Sequence, residues 1–178
     1  MNPLRAPART VVIGIGNVHR RDDGAGPRVV IRLAAGQGVP AGVALHVSDG
    51  EPGRLVALWK DAEAAVVVDA ARVRPGQPGT VHRLEAADIG LLPASEAGTH
   101  GLGLGEAVRL ARTLGSLPPR LLVYAVETAD TGFGTGLTTR VEAAVETLAR
   151  LIRRQLPGHG GPAAGAPAPD GCGWPADR

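Results

Sequence analysis

Three short apolar runs rich in valine constrain the fold of this chain more than any other feature. They read TVVIGIG, AAVVVD and LLVYAV and cover residues 10–16, 64–69 and 121–126. Each run has the length of one strand and alternates little between apolar and polar residues, which is typical of strands buried inside a parallel sheet. Helical patterns separate the runs. Strands that alternate with helices form βαβ units, and the sequence therefore predicts an α/β fold.

The whole pattern predicts a single domain, in which a twisted, mostly parallel sheet of about five strands is flanked by helices on both faces. Two further strands are predicted at 43–48 and, as a more polar edge strand, at 80–84. A final helix is expected to begin at Thr139, because Thr139 and Glu142 have the spacing of a capping box. The other helices are predicted at 26–35, 53–60 and 102–114, the last of which would stack Leu104, Val108, Ala111 and Leu114 on one side.

The C-terminal end of the chain differs from the rest in composition. Eleven of the 22 residues at 157–178 are glycine or proline, so no regular element is expected there. We predict a folded domain at 1–156 and a flexible tail at 157–178. The single cysteine, Cys172, lies in this tail together with His159. Neither residue is therefore expected in a preorganised site, and one cysteine cannot build a disulfide scaffold.

Composition also excludes several classes of protein. A hydrophobic content of 44% is too high for a disordered chain, and no apolar run approaches the roughly 20 residues of a membrane span. The first ten residues show no apolar segment of the kind found in signal peptides, and we expect a cytoplasmic protein. A net charge of +2 and an aromatic content of 2% argue against nucleic-acid binding, which uses clustered cations and stacking rings.

Acidic residues follow two of the predicted buried strands, where strand propensity gives no reason for them. The first strand leads into the adjacent acids Asp22 and Asp23, just before a helix, and Asp69 ends the strand at 64–69. One acid of the pair is expected to accept hydrogen bonds from helix N-terminal amides, and the other to face the crevice. Ligands of open α/β sheets bind at the carboxyl ends of strands, so this edge of the sheet is the candidate site.

A histidine stands at the start of another predicted helix. His100 precedes the helix at 102–114, where the helix dipole disfavours a charged imidazolium and favours the neutral, metal-binding form. Two carboxylates and one neutral imidazole would form a donor set suited to Ni²⁺, Zn²⁺ or similar ions, with positions left open for water or substrate. The candidate residues come from separate elements, so their convergence is a prediction about the fold.

The segment GIGNVHRRDDGAG, at 14–26, resembles the opening signature of the nickel–iron hydrogenase maturation endopeptidases. That signature has two spaced glycines, an asparagine, four intervening residues, an acidic pair and, after two more residues, a glycine. The resemblance continues in order over residues 10–152. Its further matches are Ser48-Asp49-Gly50, Val68-Asp69-Ala70, the segment THGLGL at 99–104, Val126-Glu127 and Gly136-Leu137-Thr138.

This resemblance implies a peptidase that removes a C-terminal extension from the large-subunit precursor of a hydrogenase after nickel insertion. It places the metal-contacting and catalytic positions at Asp23, Asp69 and His100, and a weaker substrate-recognition position at Asp49 and Gly50. Nickel would arrive with the precursor, and other divalent ions could occupy the same site. Asp23 and Asp69 are both candidates for the base, and the residues do not choose between them.

Other functions fit parts of the sequence. A chaperone that holds the nickel-loaded precursor without cutting it would use the same three residues. A nucleotide-binding module would explain Gly14 and Gly16, but the third glycine position of that fingerprint holds His19. His19 lies close in sequence to Asp22 and Asp23 and is a candidate for a spare ligand, ranked below His100.

Other protease classes are poorly supported. The tripeptide Asp130-Thr131-Gly132 resembles that of aspartic proteases, but a single copy on an α/β scaffold is expected to form an Asx-turn. The chain contains neither a serine nucleophile elbow nor the HExxH motif of zinc peptidases. His46 and His82 lie on predicted strands and are interpreted as structural.

Overall fold

The computed structural model describes residues 9–36, 38–89 and 101–157, and these form one α/β domain. Its five strands are β1 (Thr10–Ile15), β2 (Val43–Ser48), β3 (Ala64–Ala71), β4 (Val81–Glu85) and β5 (Arg120–Glu127). The strand order in the sheet is β2-β1-β3-β5-β4. The first four of these are parallel, and β4 pairs antiparallel with β5 at the edge. The predicted mostly parallel sheet is confirmed.

Five helices surround the sheet. They are α1 (Ala25–Ala35), α2 (Pro52–Trp59), α3 (Ala86–Ile89), α4 (Gly101–Thr113) and α5 (Thr139–Gln155). A 3₁₀ turn at Arg21–Gly24 leads directly into α1. No helix within the described ranges is long and apolar enough to cross a membrane. The tail predicted at 157–178, with His159 and Cys172, lies outside the described residues apart from Pro157.

Two apolar layers, one on each face of the sheet, hold these elements together. The α1 and α5 layer buries Val12, Val29, Tyr124 and Ile152. The α2 and α4 layer buries Ile13, Leu55, Trp59 and Val108. Helices on both faces shield each central strand from solvent on both sides, which explains why the sequences of these strands are apolar throughout.

The predicted elements all form, with bounds that differ by a few residues at most, but two details of the prediction are wrong. Helix α5 begins at Thr139 as expected, yet its N-cap is Thr138, and Glu142 pairs with Arg32 of α1 instead of closing a capping box. Leu114 lies beyond the end of α4 and is 62% exposed. The α4 pattern therefore ends at Ala111, because the helix ends at Thr113 and the chain turns at Gly115, where φ is +63°.

The order of the strands creates a crevice. Strand β1 has β2 on one side and β3 on the other. The β1–β2 connection runs through α1 on one face, and the β2–β3 connection runs through α2 on the opposite face. The chain leaves the carboxyl end of β1 toward β2, on one side, and leaves the carboxyl end of β3 toward β4, on the other side. These two departures diverge between β1 and β3, which is the place where open α/β sheets bind ligands.

Two glycines let α1 approach the sheet at this crevice. A Cβ on Gly26 would lie 2.4 Å from the carbonyl oxygen of Ile15 and 2.5 Å from that of Val68. A Cβ on Gly14 would lie 2.2 Å from the carbonyl oxygen of Gly26. The first turn of α1 thus packs backbone against backbone on β1 and β3, which leaves no room for a side chain.

We expect Gly26→Ala to lower the free energy of unfolding by about 1–3 kcal/mol, because the neighbours of the added methyl group are backbone atoms that must move. Gly105→Ala in α4 is the matched control. A Cβ there meets only the end of the Arg109 side chain, at 3.7 Å, and alanine should stabilise the helix by up to about 1 kcal/mol. Urea denaturation measures both variants. Equal effects of the two substitutions would contradict the close contact at Gly26.

Candidate functional site

Asp69 lies at the carboxyl end of β3 and is 5% exposed. Side chains alternate along a strand, so Asp69 shares the α2 and α4 face with Ala65 and Val67. Its Oδ1 accepts a hydrogen bond from the backbone N–H of Ala70 at 2.8 Å. A carboxylate therefore stands at the end of a strand that is apolar along the rest of its length.

Asp23 lies in the 3₁₀ turn between β1 and α1 and is 3% exposed. Its Oδ2 accepts a hydrogen bond from the N–H of Asn17 at 3.0 Å. The turn can fold back on the end of β1 because Gly16 has a φ of +135°. Residues that carry a side chain rarely adopt this backbone conformation. A Cβ on Gly16 would also lie 1.9 Å from the carbonyl oxygen of Asp23.

The fold brings these two carboxylates to the same crevice. The 3₁₀ turn contacts β3, and Gly26, three residues after Asp23, packs on the backbone of Val68, next to Asp69. Two buried acids from separate parts of the chain thus lie near the place where β1 and β3 end side by side. The strand order therefore gives this end of the sheet two carboxylates, whose role as metal ligands stays a prediction.

The predicted third residue, His100, lies outside the described residues. Helix α4 begins at the next position, Gly101. Its third residue, Gly103, packs closely on the loop after β2, since a Cβ there would lie 2.3 Å from the carbonyl oxygen of Gly50. The described start of α4 therefore lies at the carboxyl edge of the sheet, on the face that carries Asp69. Within the described residues no group of three His, Cys, Asp or Glu side chains could hold a metal ion.

Asp49 and Gly50 follow β2, on the far side of β1 from Asp69. Asp49 is exposed, and the N–H of Glu51 donates to its Oδ1 at 3.3 Å. This hydrogen bond, together with the nearby Arg54 guanidinium, lowers the pKa of Asp49. The side chain is therefore an ionised group at the rim of the carboxyl edge. Gly50 is buried under α4 and offers only its backbone.

Asp22, the neighbour of Asp23, has a structural role that could not be predicted from the sequence. It is fully buried. Its Oδ2 accepts from the N–H groups of Ala129 and Asp130, at 2.9 and 3.0 Å, and from the Thr138 hydroxyl at 3.0 Å. Its Oδ1 accepts from the Thr138 N–H at 2.6 Å. The expectation that one acid of the pair caps amides is right, but the amides belong to the loop before α5 and not to α1.

That loop, residues 128–138, is also bound to the turn through its backbone. The Asp22 N–H donates to the carbonyl of Asp130, and the Arg21 N–H donates to that of Gly134, each at 3.0 Å. Arg21 also forms an ion pair with Asp130 at 3.2 Å. The Gly132 N–H donates to Asp130 Oδ1 at 2.8 Å, so the tripeptide at 130–132 forms the predicted Asx-turn.

A fourth buried acid among the described residues ends β5. Glu127 is 5% exposed, and its Oε1 lies 2.6 Å from His82 Nε2 on β4. Its Oε2 accepts from the N–H of Gln77, in the loop that joins β3 to β4. In the sheet register Ala71 lies opposite Glu127, so Glu127 and Asp69 share a face. The sequence could have indicated Glu127 as a further buried acid, since it ends an apolar strand just as Asp69 does. His82 was predicted to be structural, and its contact with Glu127 agrees with that prediction.

The described site can therefore place negative charge and proton acceptors at one end of the sheet. Asp23 and Asp69 supply the carboxylates of the crevice, and Glu127 supports the loop beside them. Asp22 holds the position of the turn that carries Asp23. Buried carboxylates at a strand end are oxygen ligands for a divalent ion or bases toward a bound water.

Comparison with known proteins gives a consistent result. The family model HycI, described as hydrogenase maturation protease, matches residues 28–155. The hydrogenase expression/formation protein HupD of Rhodobacter capsulatus is 29% identical over 155 residues, which are 85% of this chain and 73% of HupD. The hydrogenase 2 maturation protease of Escherichia coli K12 is 27% identical over 139 residues, which are 78% of this chain and 84% of that protein.

A solved structure has the same fold. The hydrogenase maturating endopeptidase HybD of Escherichia coli superimposes with a TM-score of 0.71 at 26% sequence identity. The match covers 81% of this chain and 89% of HybD.

We expect Asp22→Asn to lower the free energy of unfolding by at least about 2 kcal/mol, because buried donors left without an acceptor cost about 1–3 kcal/mol each. Asp130→Asn is the control, since its ion pair with Arg21 is about half exposed and should contribute under about 1 kcal/mol. Thermal and urea denaturation test both. A smaller loss for Asp22→Asn than for Asp130→Asn would refute the anchoring role of Asp22.

Proposed function

The chain belongs to the hydrogenase maturation protease family, and from that premise we propose that it removes the C-terminal extension of a hydrogenase large-subunit precursor after nickel insertion. It is a peptidase. The single observation that carries the proposal is that Asp23, in the turn after β1, and Asp69, at the end of the adjacent strand β3, are both buried carboxylates. We further propose that it works in the cytoplasm, where a chain with one cysteine suits the reducing conditions.

Nickel enters the proposal as part of the substrate. The ion already held by the precursor would be recognised by Asp23 and Asp69, with His100 as the third contact. Two carboxylates and an imidazole suit an ion of borderline character such as Ni²⁺. Other divalent ions could take the same place when no precursor is present. Such an ion polarises a carbonyl or lowers the pKa of a bound water.

The chain's own residues would orient the scissile amide and handle the proton. Asp23 is held by the Asn17 N–H, and its turn is held by the buried Asp22, so its carboxylate is preorganised. Asp69 is held at the end of a central strand. Either carboxylate can accept the proton of an attacking water, and His100, just before α4, is placed by sequence to assist. Positioning of this kind supplies much of the rate enhancement in hydrolytic sites.

Recognition of the ion would couple cleavage to metal loading. A precursor without nickel would cover Asp23 and Asp69 without bringing a cation, so docking would strengthen the repulsion between two carboxylates that lose water. A loaded precursor would relieve that repulsion. The proposed site thus reads the maturation state of its substrate by electrostatics.

We expect the purified protein to shorten the nickel-loaded precursor and to leave the nickel-free precursor intact. Mass spectrometry of the large subunit before and after incubation measures the loss of the extension. Cleavage of both forms would overturn nickel recognition while keeping the peptidase activity. Binding of the loaded precursor with no mass loss would favour the chaperone alternative.

We expect Asp23→Asn, Asp69→Asn and His100→Ala each to lower the cleavage rate at least about 100-fold, as loss of an acid, base or metal contact does. Asp61→Asn is the matched control, because Asp61 is an exposed carboxylate just before β3, at the amino ends of the parallel strands. Asp49→Asn should raise KM with little change in kcat. A control variant as slow as the three site variants would argue against their assignment.

A further inference from the structure

Phe133 is an unusual feature in a chain with so few aromatic residues. The sequence has two tryptophans, one tyrosine and one phenylalanine. Trp59 and Tyr124 are buried in the two apolar layers, and Trp174 lies outside the described residues. Phe133 is 92% exposed. Its ring makes almost no contact within the described part of the chain, so the fold does not account for an aromatic side chain here.

The backbone on both sides of Phe133 is held in place. The Gly132 N–H donates to Asp130 Oδ1 at 2.8 Å, and the Gly134 N–H donates to the carbonyl of His19 at 2.9 Å. The carbonyl of Phe133 itself accepts from Arg21 Nε at 3.4 Å. The exposed ring is therefore displayed on a braced loop and not on a free strand end. Because the loop backbone is already held in place, binding a partner does not have to order it, and this favours affinity.

The braced loop is continuous with the candidate site. Arg20 and Arg21, which hold the loop, directly precede Asp22 and Asp23 in the chain. Asp22 in turn accepts hydrogen bonds from the loop at Ala129 and Asp130. Any partner that brings a scissile bond to Asp23 therefore passes close to the segment that carries Phe133.

We propose that Phe133 is the apolar anchor with which this protein docks its precursor, by inserting the ring into an apolar pocket on the folded large subunit. The inference rests on the proposed function and adds the recognition element to it. Aromatic residues dominate the energetics of protein interfaces, and a charged neighbour such as Arg21, whose side chain is 48% exposed, is typical of their surroundings. Docking away from the scissile bond would select the folded precursor over any short peptide with the same cleavage sequence.

The test is the affinity of the full-length protein for the nickel-loaded precursor, measured by titration and scored separately from cleavage. We expect Phe133→Ala to weaken binding by about 30-fold, the loss typical of an interface hot spot. KM should rise by a similar factor with kcat unchanged, since the ring does not touch the reacting atoms. Phe133→Tyr should restore most of the affinity, because it keeps the ring.

Leu114→Ala is the matched control. Leu114 is also a strongly exposed apolar residue, at 62%. It lies between the end of α4 and the amino end of β5, away from the carboxyl ends of the strands. It should leave affinity and KM unchanged. Unchanged affinity of Phe133→Ala would overturn the inference, and so would a wild-type dimer that Phe133→Ala converts to a monomer, because the ring would then serve a second copy of this chain. Failure of the wild-type protein to cleave would count against the proposed function alone, since binding is measured independently.

Discussion

The buried carboxylate of Asp22 joins parts of the chain that lie far apart in sequence. It receives hydrogen bonds from Ala129, Asp130 and Thr138, which are 107, 108 and 116 residues away. Without it, only backbone hydrogen bonds and the contacts of Arg20 and Arg21 would join the turn after β1 to the loop before α5. Four hydrogen bonds to one buried acid also satisfy donors that the loop cannot satisfy by itself, which makes the carboxylate hard to replace.

Much of the architecture could be predicted because the strands are buried on both faces. A run such as AAVVVD has one physical interpretation when it lies between helical patterns. The parallel order then requires that the acids after β1 and β3 share an edge. The prediction that Asp23 and Asp69 share this edge depended only on which strands they follow, and not on the exact strand bounds, which differ from the structure by one or two residues.

Contacts between distant segments could not be predicted in the same way. Nothing local distinguishes Asp22 from Asp23 as the structural acid, because the donors that decide it come from the loop before α5. The capping box expected at Thr139 failed for the same reason, since the Thr138 hydroxyl is engaged by Asp22 and Glu142 by Arg32. The Glu127–His82 contact joins two strands that are adjacent in the sheet but 45 residues apart in the chain.

Because the turn after β1 is anchored by residues 129–138, it can reach its final position only late in the synthesis of the chain. Residues 129–138 leave the ribosome long after Asp23, and until they arrive the carboxylate of Asp22 has no partners among them. The crevice can therefore take its final form only after the β5–α5 region has folded back onto β1, a pairing of high sequence separation that forms slowly. Synthesis order thus delays the assembly of the candidate site until the domain around it is complete, so a nascent chain would carry the sequence motif before the crevice exists.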